Sequence, residues 1–238
     1  MRDWIMGFMG KYSVGILLTF VLLASVMLYA FPAVSIITGT KGITRDNFFL
    51  TRVAIWGVFL LIFLYSLFVE KESFLLKKES PYPIAFYIKT IFYLYLICCI
   101  GGAVLNVMIQ LLIQEKVSDK LLELNFIFKN DYFLIIFTSF TAGTVEEFLM
   151  RGYIQPRIER IYNSPLAGIL VSAILFGILH STYGTISQVV IPFFIGVAFA
   201  MFYKLYSNIK ILIICHFMID FISLMAMNFI DIKQLSVF

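Results

Sequence analysis

The sequence predicts an all-α, polytopic membrane protein of about seven helices, within a range of six to eight, around a polar intramembrane cavity. Three observations predict it. Hydrophobic residues make up 61% of the 238-residue chain and charged residues only 13%, about half of the ~25% charge with which a soluble domain wets its surface. Mean hydropathy is +0.97. Apolar runs of about 20 residues, enough to cross ~30 Å of hydrocarbon, recur along the whole chain.

The runs follow in order. Ser13–Ile37 comes after Arg2 and Lys11, as a secretory signal would. Its apolar stretch is about twice the length of a signal core and no small-residue cleavage site follows, so it reads as a transmembrane helix. Val53–Val69 is short. Ile84–Ile113 is long, and Gly101-Gly102 at its middle implies a kink, a tilt or an extension past the lipid. Tyr132–Met150, a short Pro165–Thr182, Ile186–Tyr206 and Ile209–Ile230 complete the set. The charged Glu115–Glu123 stretch reads as an interfacial helix or a loop. With no internal repeat and no linker, one membrane domain over 1–238 is expected: N-terminal helices over 1–130 and a core over 131–230.

Composition removes other classes. The net charge of +4 is spread over loops without a basic run, so no nucleic-acid partner is expected. Six Pro and 14 Gly exclude a low-complexity chain. Cys98, Cys99 and Cys215 sit within apolar runs and read as small buried hydrophobes rather than a disulfide framework. Orientation follows from loop Lys and Arg. One side would hold ten (Arg2, Lys11, Lys71, Lys77, Lys78, Arg151, Arg157, Arg160, Lys204, Lys210) against seven (Lys41, Arg45, Arg52, Lys116, Lys120, Lys129, Lys233), which places the N-terminus in the cytoplasm.

Ionisable groups inside a bilayer cost several kcal/mol, so each asks for a partner and a purpose. Of 14 acidic residues, three fall inside the apolar runs: Glu146, Glu147 and Asp220. Both histidines, His180 and His216, do as well. Glu147 and Arg151 stand four apart on one helix face and can form an ion pair. His216 and Asp220 share the same spacing, so the carboxylate can orient the imidazole. Phe176 lies one turn before His180 and can shield it or wall a pocket. Glu146 points about 100° away from Glu147 around the helix and has no local partner.

The set suits hydrolysis. A carboxylate in a dry pocket can act as general base on water. One imidazole can share that water or protonate a leaving amine, and the other can donate to a developing oxyanion. Glu146, His180 and His216, with Asp220, could instead ligate a divalent ion such as zinc. Both arrangements cleave amides, and residue type does not choose between them. Tyr183, Ser187 and Asn228 are candidate pocket liners. Cys215 beside His216 is a poor nucleophile, because a buried apolar thiol ionises with difficulty. A His216–Asp220 relay in a proton-coupled transporter would also use these residues, but it calls for inverted repeats that the chain lacks.

Glu146–Arg151 (EEFLMR), Phe176–His180 (FGILH) and His216–Asp220 (HFMID) match, in order, EExxxR, FxxxH and Hxxx(N/D). In this arrangement the chain resembles the CPBP family of intramembrane proteases, which groups CAAX prenyl endopeptidases with bacteriocin-processing and Abi-type proteins. The resemblance covers about Gly143 to Asn228. It implies a helical membrane fold whose cavity opens towards the cytosol, and peptide-bond hydrolysis by water activated at Glu146 with His180. His216 and Asp220 would stabilise the oxyanion, and Glu147, Arg151 and Phe176 would support the site.

The resemblance leaves metal dependence open between a glutamate-based site, the reading preferred here with no cofactor, and a metalloprotease. Asp220 stands where prenyl endopeptidases carry Asn, and cannot donate as an amide does, which weakens transfer of CAAX specificity. A chain so rich in Ile, Phe, Lys and Tyr suits an AT-rich bacterial genome. The expected location is therefore a bacterial cell membrane, with lipid and a small membrane-associated peptide or protein as partners. The peptide would be a bacteriocin or pheromone precursor, or the setting would be immunity against one. A catalytically silent scaffold of the same fold is the alternative, and the intact motifs argue against it.

Overall fold

The structure, a computed structural model, describes residues 2–39, 42–116 and 118–229; the side chains of residues 2–8 and 119 are not described. Lys41, Ile230 and Lys233, used above, lie outside the described residues. Among these residues every regular element is helical. The chain is a polytopic all-α membrane protein. Seven helices are long and apolar enough to span a bilayer: Met9–Thr38, Arg45–Glu70, Ile84–Ile113, Tyr132–Tyr162, Pro165–Tyr183, Ser187–Tyr206 and Ile209–Phe229.

Local sequence sets where the helices begin. Helix α1 is Arg2–Thr38 and carries Pro32 inside it. Helix α2 (Arg45–Tyr65) starts where Thr44 accepts from the Asn47 amide at 3.3 Å, and it ends in a widened π turn, Ser66–Glu70. After α3 (Ile84–Ile113) the short α4 (Asp119–Phe128) precedes α5 (Tyr132–Thr141), which Asp131 caps through the Leu134 amide at 3.0 Å. Two π segments, Ala142–Glu146 and Phe148–Ile154, carry α5 without a break into α6 (Gln155–Tyr162). Such π turns are rare and frequently mark functional sites. Ser164 caps α7 (Pro165–His180) with Pro165 at its first turn. A single 3₁₀ turn, Ser181–Tyr183, leads towards α8 (Ser187–Tyr206), and α9 is Ile209–Phe229.

Three buried clusters hold the bundle. The largest joins α1 and α2 to the π segments, α6 and α7 through Leu23, Ile55, Ile62, Leu149, Tyr153 and Phe176. A second joins α3, α8 and α9 around Leu94, Phe199 and Leu212. The third is Phe48, Leu124, Phe128, Leu134 and Ile135, where α4 packs on α2 and α5. Helix α3 exposes a long apolar face, including Ile84, Ile88, Phe92, Ile100, Val104 and Leu111. On a soluble protein such a surface would aggregate; on a membrane protein it faces lipid.

The structure departs from the sequence reading in three places and refines it in two. Run four does not end at Met150 but continues to Tyr162, because Arg151, Gln155 and Arg157 beyond it are buried and hydrogen-bonded inside the protein. Run two begins at Arg45, which puts Arg52 within a spanning helix rather than a loop. Arg151 and Arg157, counted above as loop charges, are both 0% exposed, and Glu70, assigned to a loop, is 3% exposed. Gly101 does not break α3: the Phe194 ring of α8 fills the space a side chain would need, so the glycine serves close packing. Of the Glu115–Glu123 stretch, Glu115, Lys116 and Ser118 are irregular and Asp119–Glu123 open α4.

Candidate active site

The widened motif helix runs against α9 with almost no gap. A Cβ on Gly143 would lie 2.8 Å from the Phe217 amide nitrogen and 2.9 Å from the Ile213 carbonyl oxygen, closer than side chains approach. Glycine there lets the two backbones touch. One turn further on, the contact sets Glu147 against His216.

Glu147 Oε1 accepts from Arg151 Nη1 at 3.0 Å and from His216 Nδ1 at 2.8 Å. Arg151 also donates from Nη2 to the Gly196 carbonyl of α8 at 3.3 Å. Its guanidinium lies 4.5 Å from the Phe176 ring centre and 5.6 Å from that of Phe199. Glu147 and Arg151 are fully buried, so the pair is shielded from water and from salt screening. The i,i+4 pairing expected from the spacing is present. The orienting group of His216 differs from the expectation: Nδ1 donates to Glu147 from another helix, while Asp220 Oδ2 stands 3.6 Å from Nε2, too far for a hydrogen bond.

His180 is fixed from its own helix, with Nδ1 donating to the Phe176 carbonyl at 2.9 Å. A carbonyl can only accept, so Nδ1 carries the hydrogen and a neutral ring would leave Nε2 free to accept a proton. Phe176 packs against both imidazoles, with ring centres 4.6 Å from His180 and 6.0 Å from His216. Phe176 itself belongs to the buried apolar cluster that includes Leu23 and Ile55.

Glu146, His180, His216 and Asp220 all line one cavity of about 220 Å³, large and polar enough to hold water. Within it, Glu146 Oε2 is buried and has no hydrogen-bond partner among the described residues. Behind Glu146 and His180 the wall is apolar, formed by Leu23, Met27, Ile55 and Met150. Low local polarity strengthens every electrostatic interaction at that carboxylate.

Sequence reasoning missed several liners: Arg52 of α2, Thr138 of α5, Gln188 of α8, and Ser223, Leu224 and Met227 of α9. A signal was available. Thr138, Ala142 and Glu146 recur every four residues, and His216, Asp220, Ser223 and Met227 repeat with helical spacing, so each set marks one face. Tyr183 lines the cavity as expected. Ser187 and Asn228 instead tie elements together: the Ser187 hydroxyl donates to Glu115 at 2.8 Å, and the Asn228 side-chain oxygen accepts from the Asn130 amide at 2.9 Å.

No three His, Cys, Asp or Glu side chains among the described residues are placed to hold one metal ion together. Glu146, His180 and His216 share the cavity but, with both Nδ1 atoms engaged elsewhere, do not form a ligand shell as they stand. Cys215, whose thiol was set aside as a nucleophile, is fully buried in the α3–α8–α9 cluster.

The type II CAAX prenyl endopeptidase Rce1-like family model matches residues 128–222. That stretch carries all three motifs. The match bears out the resemblance to the CPBP family, and it supports intramembrane endopeptidase activity in general terms. No curated protein and no solved structure matches the chain.

Proposed function

We propose that the chain is an intramembrane endopeptidase that cleaves membrane-associated peptides or small proteins with a water activated by Glu146 and His180. The observation that carries this reading is Glu146 Oε2, a buried carboxylate oxygen without a partner on the wall of a cavity shared with two imidazoles. An unpaired buried acceptor of this kind is costly unless something is to be bound there.

In the proposed cycle a water between Glu146 and His180 Nε2 loses its proton to Glu146 as its oxygen attacks the peptide carbonyl carbon. The carbonyl oxygen becomes an oxyanion and receives a hydrogen bond from His216 Nε2. Since His216 Nδ1 already donates to Glu147, donation from Nε2 as well requires the doubly protonated ring, with Glu147 and Asp220 supplying counter-charge. Collapse breaks the C–N bond, and the proton passes from Glu146, directly or through His180, to the leaving amine. Arg151 holds Glu147 and Glu147 holds His216, so neither needs to touch substrate. The cycle uses only this chain's side chains. For substrate we carry forward a bacteriocin- or pheromone-type precursor, or a role in immunity against one, in a bacterial membrane with the N-terminus in the cytoplasm.

The test is cleavage of apolar and prenylated peptides by purified protein, with Glu146→Gln and His180→Ala beside wild type, each with and without a chelator. Glu146→Gln keeps the volume but removes the base, and should lower the rate at least ~10²–10⁴-fold while the protein still assembles. Normal cleavage by that variant would sink the assignment. Loss of activity on chelation alone would move the chemistry to a metal.

A further inference from the structure

Arg52 is a cation on the cavity wall for which the hydrolytic cycle has no use. It projects from a spanning helix about two turns in from its Arg45 end, and among the described residues no carboxylate lies within ion-pair distance of it; Arg45, Lys77, Arg151, Arg157, Arg160 and Lys210 all have such partners. Its guanidinium rests 4.7 Å from the Phe48 ring centre, and its Nε makes one long 3.4 Å contact to Thr51 Oγ1. Its nearest counter-charge is Asp220, which faces the same cavity but only at longer range, and a guanidinium so incompletely paired in a bilayer is expensive unless a partner arrives later.

Its surroundings describe that partner. Beside the main cavity is a recess of about 20 Å³, also lined by Arg52, with Thr51, Thr182 and Lys120 around it. Lys120 Nζ donates to the Thr182 carbonyl at 3.1 Å, and Phe48, Arg52, Leu124 and Tyr183 line both recess and cavity. Both threonine hydroxyls already donate to backbone carbonyls of their own helices, so the two cations are what this otherwise largely apolar recess, about the size of one or two oxygen atoms, offers an anion. Glu146 and Asp220 line the adjoining cavity and repel anions there, so an anion is favoured only at the Arg52 end.

We propose that Arg52, with Lys120, forms a subsite for a carboxylate of the peptide substrate, close in sequence to the bond that is cut. This rests on the endopeptidase reading and adds to it a class of substrate: apolar peptides bearing one carboxylate beside the scissile bond. That group is either the free C-terminus or an Asp or Glu side chain. Arg52 is a specificity-determining residue here; the planar fork suits a carboxylate, which Lys would hold only as a point charge.

The experiment measures binding rather than turnover, so that it survives if the catalytic assignment fails. Three fluorescent forms of one apolar peptide are titrated into detergent-solubilised protein carrying Glu146→Gln: free acid, C-terminal amide, and amide with an internal Glu. The same titrations use a second protein that also carries Arg52→Gln. The expected result is about tenfold tighter binding of a carboxylate-bearing form than of the plain amide, with that preference abolished in Arg52→Gln and partly restored in Arg52→Lys. The better of the two acidic forms identifies the source. Equal binding of all three forms, binding by none, or a preference that survives Arg52→Gln overturns the proposal. Cleavage by wild type is followed in parallel: an intact acid preference with activity unaffected by Glu146→Gln would overturn the base assignment and leave the subsite standing.

Discussion

One oxygen atom, Glu147 Oε1, receives both the Arg151 guanidinium and the His216 imidazole. Removing Arg151 therefore disturbs two elements at once. Arg151→Ala leaves a fully buried carboxylate short of its cation, a change that costs about 3–5 kcal/mol. It should appear as a large drop in folded yield and in the thermal midpoint in detergent. Arg151→Lys keeps the charge but not the second nitrogen that reaches Gly196, and should recover only part of the loss. A variant as stable as wild type but inactive would give Arg151 a direct part in the chemistry. Spacing within one helix made the Glu147–Arg151 pair legible in advance. The Glu147–His216 bond was not legible, because its two ends lie 69 residues apart. The four-residue spacing of His216 and Asp220 pointed to the wrong orienting group for the same reason.

At the scale of elements, Glu115 caps α8 from outside its own helix, accepting from the amides of Ile186 and Ser187 as well as the Ser187 hydroxyl. Desolvation pushes the Glu115 carboxyl up, but those three hydrogen bonds outweigh it and hold the group below its ordinary value. A carboxyl lowered in the folded state stabilises above its unfolded pKa, and that stabilisation is lost as pH falls through the lowered folded value. Glu115→Gln should thus speed hydrogen exchange of the Ile186 and Ser187 amides at neutral pH. The difference from wild type should close under acid conditions, when both side chains are uncharged. A gap that persists unchanged in acid would show that shape rather than charge holds the helix end. Sequence gave helix existence for all seven spans, since apolar length is a local property. It did not give the ends of the second and fourth, because charges that pair inside the protein look like loop charges when only their neighbours are read.

Over the whole molecule the largest surprise is the second buried ion pair. Arg157 donates from Nε to both oxygens of Glu70, from Nη1 to the Phe74 and Tyr153 carbonyls, and from Nη2 to Ser66 and Glu70. The Tyr153 hydroxyl adds a 2.7 Å bond to Glu70, and its ring lies 3.6 Å under the guanidinium. This network bolts the end of α2 to α6, just past the first motif but outside all three of them. Arg157→Ala should cost about 3–5 kcal/mol and lower the thermal midpoint, whereas activity per folded molecule should stay close to wild type. A stable but inactive variant would instead link the bolt to catalysis. The fold class was legible from composition because lipid selects apolar side chains everywhere at once. The bolt was not, since Glu70 and Arg157 belong to no local pattern. Moving Arg52, Arg151 and Arg157 out of the loops also narrows the charge difference between the two faces.

The π turns under the first motif make the chain length there a fixed quantity. An α-helix advances about 100° per residue. Loss or gain of one residue between Glu147 and Arg151 would swing everything beyond it by roughly that angle. Arg151 would then leave Glu147, while the outer, lipid-facing surface of the helix remained equally greasy. A bilayer would accept either length, but the bonds from Glu147 to Arg151 and His216 would not. In evolutionary terms, substitutions can accumulate along this helix, and insertions or deletions cannot.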